Sequence, residues 1–166
     1  MFELKRLSRE GIPAALEKAQ RYRLLNEPHE AESICRDVLD VDPGSQEARV
    51  TLLLALTDQF DEHRPAVYER ARHILAELAD EYSRAYYAGI VSERSAKALF
   101  RARHPGGGAA VYERLRQAMA HYEQAAERRP PGNDDAILRW NACARLLMEH
   151  PELAPAGDEA FRSWLE

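Results

Sequence analysis

The sequence predicts an all-α chain built from antiparallel helical hairpins, and three observations carry that prediction. Small and apolar residues recur at steps of three and four through most of its 166 residues, the period of one helical face. Polar turns bearing Pro, Gly or Asn interrupt this pattern at hairpin-like intervals. No apolar/polar alternation bounded by turns stands out, as a half-buried strand would require.

Taken in order, residues 1–11 are a charged lead-in with Leu4 and Leu7. Pro13 suits the first turn of a helix, where its missing N–H costs nothing. The first hairpin, 12–44, pairs a helix to about Leu25 with one from Pro28 to the stop Asp42-Pro43-Gly44, around a turn at Asn26-Glu27-Pro28. Ala15, Ala19 and Tyr22 mark the inner face of the first helix, and Ala31, Cys35 and Val38 that of the second. Ser45 is placed to cap the next helix. Its body from Val50 to Leu56 is apolar nearly all round, which predicts burial on several sides. The second hairpin, 45–82, is completed by a helix expected over 66–82 with Ala71, Leu75 and Leu78 inward. The third, 83–130, carries Tyr86, Tyr87, Ile90, Val91, Ala96, Leu99 and Phe100, then a loop through Gly106-Gly107-Gly108. A further helix over 134–150 follows the break Pro131-Gly132-Asn133, with Asp134 and Asp135 favouring its start. Ala160, Phe161, Trp164 and Leu165 suggest a short cap over 158–166, as a stack of hairpins needs at its end.

The first hairpin resembles one tetratricopeptide repeat. Ala15, Ala19, Tyr22, Ala31, Cys35, Val38 and Pro43 fall on that family's pattern, and Lys18 departs from it where a large apolar residue is usual. Ala118, Tyr122, Ala125 and Pro130 match the second helix of a repeat well; Ser83 stands where a proline is expected. The resemblance spans residues 12–150 and is weakest in the middle. It implies one domain, stacked as a short right-handed solenoid or a compact helical bundle. It also implies a non-enzymatic scaffold that binds a segment of a partner protein in a groove lined by the first helices of the hairpins. Chaperone-tail binders of the family clamp a terminal carboxylate with Lys and Asn, whereas this chain has Leu16 and Gln20 there, which argues against that ligand.

Composition bounds the alternatives. The chain is 45% hydrophobic and 31% charged with net charge −5, ordinary for a globular protein and unfavourable for non-specific nucleic-acid binding. Twenty of its 23 basic residues are Arg, interleaved with acids as on an ion-paired surface. No apolar run reaches the length of a membrane span or a signal sequence, so a cytoplasmic location is expected. Cys35 and Cys143 sit on apolar helical positions and read as buried thiols.

Catalytic and cofactor patterns are weak. Gly106-Gly107-Gly108 precedes a helix but lacks the Lys-Ser/Thr of a phosphate loop. Asp58, Asp61, Glu62 and His63 lack calcium-loop spacing. No cofactor or metal is expected. The candidate partner groove comprises Leu16, Gln20, Arg23, Leu54, Arg94, Ile137, Asn141 and Arg145, mixing apolar area with amide and guanidinium donors suited to an acidic segment. A simpler account pairs each Arg with an acid of its own chain, such as Arg23 with Glu27, caps the last long helix with Asn133 or Asp134, and packs Trp140 in the core. Self-assembly through an apolar helix face is the competing function, and an enzyme with a dispersed site the residual one.

Overall fold

The computed structural model describes residues 2–62, 65–103 and 105–155. The expected cap over 158–166 lies outside the described residues. Those residues form seven α-helices and three short 3-10 helices, with no strand among them. The chain divides into two compact units, Met1–Ala79 and Asp80–Glu166.

In the first unit, α1 (Ile12–Leu24) and α2 (Pro28–Val41) form the first hairpin. Asn26 turns the chain with φ 60°, a left-handed conformation that Asn tolerates better than most residues. Ala19 and Ala31 are both completely buried, so neither helix presents bulk at those inner positions. Leu16, Val38 and Ala48 form a core cluster, with Leu7, Ile12, Ala15, Ile34 and Leu39 packed around it. Leu7 thereby fixes the root of the lead-in, while residues 2–7 adopt no regular structure.

Helix α3 (Gln46–Thr57) begins where Ser45 accepts the Ala48 N–H at 3.2 Å. It buries Leu52, Leu53, Ala55 and Leu56 and packs against α1, α2 and α4 (Pro65–Ala76), the many-sided burial its composition predicts. Helix α4 ends six residues before the expected Tyr82. The side chain of Asp80 accepts the Ser83 N–H at 2.8 Å and starts α5 (Glu81–Ala102). An Asp three residues ahead of a Ser gave the new helix a cap, and the capping bond outweighed the continuing apolar period.

The second unit pairs α5 with α6 (Gly108–Glu127) over almost their full lengths, and α7 (Asp135–Glu149) packs on α6. Gly132, at φ 80°, sits third in a turn closed by the Asn133 N–H on the Pro130 carbonyl at 3.1 Å. Asn133 then accepts the Asp135 N–H at 3.0 Å. Asn133 is thus the capping side chain of α7, and Asp134 instead pairs with Arg129 at 3.3 Å.

At Gly89 there is no room between α5 and α6 for a side chain. A methyl group there would lie 2.4 Å from the Tyr122 ring. That ring is fully buried and cannot swing aside, because its hydroxyl is bonded to buried Glu93. Gly89→Ala should therefore destabilise by ~1–3 kcal/mol through overpacking, reversing the ~1 kcal/mol gain usual for Gly→Ala inside a helix. Gly108→Ala, whose methyl would meet Leu153 at an ordinary 3.5 Å, is the control. Urea denaturation of both variants measures the difference, and equal midpoints would refute the close approach.

Candidate functional site

Among the described residues, each unit contains one buried glutamate held by side chains from more than one element. Glu93 on α5 is completely buried. It accepts from Lys97 Nζ at 2.6 Å, one turn along the same helix, from Tyr122 Oη on α6 at 2.6 Å and from Arg139 on α7 at 3.4 Å. Burial raises the Glu93 pKa, but the bonds from Lys97 and Tyr122 and the charges of Lys97 and Arg139 outweigh it, and the net shift is downward. Burial likewise pushes the Tyr122 hydroxyl strongly up, reinforced by the adjacent carboxylate, so it remains a donor.

Glu32 on α2 has the corresponding arrangement in the first unit. Gln59 donates to it at 2.8 Å, Arg36 pairs with it at 2.7 Å one turn along α2, and Arg70 on α4 bonds the same carboxylate. Here too burial raises the pKa while the bonds from Gln59 and Arg70 and the charges of Arg70 and Arg36 bring it below its ordinary value. The two arginines are not enclosed with the acid. Their side chains are 58% and 39% exposed, so each keeps donors facing solvent.

Those two arginines line a trough of about 420 Å³. Leu52 and Leu56 of α3 form its floor, Ile74 of α4 one wall, and Arg36, Glu69, Arg70 and His73 its edges. Glu69, Arg70, His73 and Ile74 share a face because a helix returns to the same side after four residues. The result is an apolar channel edged by two arginines and one acid, and an arginine beside an apolar floor can seat an apolar anchor next to a carboxylate. Helix α3 is the first helix of its hairpin; the walls come from second helices.

The eight groove residues expected from sequence fall four in each unit. Leu16 belongs to the first core cluster, at 4% exposure. Gln20 is exposed and donates to Glu47 at 3.4 Å. Arg23 pairs with Asp58 at 2.8 Å rather than with Glu27, joining α1 to the end of α3. Leu54 and Arg94 are half-buried. On α7, Ile137 and Asn141 are half-buried and Arg145 is exposed. Ile137 lines a slot of about 200 Å³ with Tyr122, Ala126 and Trp140. Trp140 is half-buried rather than enclosed in the core, and its indole N–H donates to Glu123 at 2.9 Å. Sequence reasoning missed both buried glutamates and the trough. The available signal was only an acid with a cation four residues later, Glu32–Arg36 and Glu93–Lys97, a spacing that exposed acids share.

Burial pushes both thiols, Cys35 and Cys143, up to about 12, so neither is a thiolate near neutral pH. No group of His, Cys, Asp and Glu among the described residues is arranged to hold a metal ion. No helix among them is long and apolar enough to cross a membrane.

Because the folded-state pKa values of Glu32 and Glu93 are depressed, both carboxylates stabilise the fold above their unfolded value of ~4.3. That stabilisation is lost as pH falls through the folded values. The wild-type melting temperature should drop steeply below about pH 4.5, and a Glu32→Gln/Glu93→Gln variant should be less stable at pH 7 but flatter with pH. Tyr122→Phe should cost ~1–3 kcal/mol at pH 7 by removing one donor from a buried carboxylate. Thermal melts from pH 7 to pH 3 check all three, and parallel pH profiles for wild type and the double variant would show that the buried acids do not govern acid stability.

Comparison with models of protein families, with curated proteins and with solved structures finds no match to this chain.

Proposed function

We propose that this protein is a non-enzymatic binding module that holds an acidic, apolar-anchored segment of a partner protein in the trough over α3. The observation that carries this reading is the pairing of an apolar floor, Leu52 and Leu56, with two half-solvated arginines whose orientation is fixed by Glu32. Fixed arginines lose little freedom on binding, so their spare donors recognise a carboxylate at low entropic cost. The buried titratable groups Glu93, Tyr122 and the two thiols are enclosed, and Glu93 and Tyr122 bond each other, which suits structural roles better than catalysis. Packed helical hairpins are also what a tetratricopeptide-like scaffold would be made of, and that kinship is part of the proposal. Free buried thiols suit a reducing compartment such as the cytoplasm.

The test is fluorescence anisotropy with labelled peptides that carry two apolar residues flanked by Asp or Glu. Binding should weaken with salt and fall at least about tenfold in a His73→Glu/Ile74→Glu variant, which adds repulsion at the trough edge without touching Glu32. An Arg145→Glu variant should bind as wild type does. Loss of binding in Arg145→Glu but not in the trough variant would move the site to α7.

A further inference from the structure

Both buried glutamates divide their oxygens in the same way. Glu93 gives one oxygen to the neutral hydroxyl of Tyr122 and shares the other between Lys97 and Arg139. Glu32 gives one oxygen to the neutral amide of Gln59 and shares the other between Arg36 and Arg70. In each unit the acid and its first cation lie one turn apart on one helix, and the second cation comes from the helix two further on. The same division, made with different residue types, marks the neutral donor as a working part of each arrangement.

Gln59 is anchored for that part. It lies just past the end of α3 and is 2% exposed. Its backbone N–H bonds the Leu56 carbonyl at 3.1 Å, and its side-chain amide donates to the Ala55 carbonyl at 3.2 Å and to Glu32 at 2.8 Å. A carbonyl and an ionised carboxylate carry no hydrogen, so only the NH2 end of the amide can serve both, and its orientation is unambiguous. One amide hydrogen holds the side chain on α3; the other holds Glu32.

We infer that Gln59 is the positioning residue of the arginine edge: by occupying one oxygen of Glu32 it leaves Arg36 and Arg70 to share the other, and so fixes the two guanidinium groups side by side at the trough. A carboxylate free of Gln59 offers each arginine an oxygen of its own, and the guanidinium groups then separate. Held to one oxygen, they turn their remaining donors to solvent together, and a planar fork already fixed in place loses little freedom when a carboxylate arrives. Leu56, whose carbonyl receives the Gln59 N–H, also belongs to the trough floor, so one turn of α3 sets floor and rim relative to each other. On the reading of the trough as a binding groove, on which this rests, a buried neutral residue that touches no ligand controls its affinity.

Gln59→Met, which keeps the length of the side chain and removes both amide bonds, tests this in the full chain. NMR order parameters of the arginine Nε–Hε groups report on the edge with no ligand present. Arg36 and Arg70 should be ordered in wild type and mobile in the variant, while Arg49, paired with Glu77 at 2.8 Å in the same unit, stays ordered in both. The labelled acidic peptides should bind the variant at least about tenfold more weakly. If Gln59 served stability alone, the folded variant would melt earlier with its arginines still ordered, which overturns the inference. Undiminished peptide affinity beside mobile arginines overturns it too. A measurement on wild type covers the case in which the variant does not fold. The Gln59 side-chain amide protons should exchange far more slowly than those of exposed Gln117, and equal exchange rates overturn the inference. The groove reading fails separately: if the arginines depend on Gln59 while wild type binds none of the peptides, the positioning stands and the groove does not.

Discussion

A carboxylate removed from water must be bonded from several sides, and in the second unit that requirement sets the positions of three helices. Glu93 has no exposure, and an unpaired charge at such a place would cost several kcal/mol. Its partners come from α5, α6 and α7, so the helices can approach only in the register that brings Lys97, Tyr122 and Arg139 to the same two oxygens. Apolar packing alone tolerates sliding by a turn; a three-way bond to one carboxylate does not. Gly89 belongs to the same constraint, because the Tyr122 hydroxyl reaches Glu93 only if its ring lies flat against a residue with no side chain. The tyrosines around it extend this order along the helix, with Tyr86 centred 5.9 Å from Tyr122 and stacked on Tyr82 at 5.8 Å.

In the first unit the same device reaches the surface. Glu32 pairs with both Arg36 and Arg70 and holds both guanidinium groups beside the trough. An arginine has five donors, and a carboxylate beneath it occupies only some of them. The acid that stabilises α2 against α4 therefore also preorganises the cationic edge of the candidate groove. On the proposed reading, stability and recognition draw on the same carboxylate, which is why the trough is best altered at His73 and Ile74 rather than at the arginines.

Much of the fold was legible in the sequence, because apolar period and capping chemistry are local. Ser45, Pro28, Pro43 and the Pro131-Gly132 turn all punctuate the chain as their chemistry dictates. The α4–α5 boundary was misplaced because the apolar period runs on through Leu78 while Asp80 makes a stronger local bond. The site was far less legible. Arg23, assigned to a groove by its helical position, is engaged with Asp58, 35 residues away in sequence. The trough is assembled from one residue of α2, two of α3 and four of α4, and no linear pattern relates them. Glu32 and Glu93 look like surface acids in any window, since their burial depends on helices that arrive later in the chain.

The proposed binding edge lies in the first unit, where the buried carboxylate is held by two partly exposed arginines and no buried tyrosine. Glu93 is enclosed and takes one of its bonds from the fully buried Tyr122, while the side chains of Lys97 and Arg139 are 35% and 39% exposed. Glu32 retains 7% exposure, and its cations lie at the protein–water boundary. There the arginines are dry enough beneath to be held in place and wet enough above to exchange water for a ligand carboxylate. A shallower clamp would leave its arginines screened and mobile, where exposed ion pairs contribute little. Partial burial is thus the condition that allows one carboxylate to order a binding edge without consuming it.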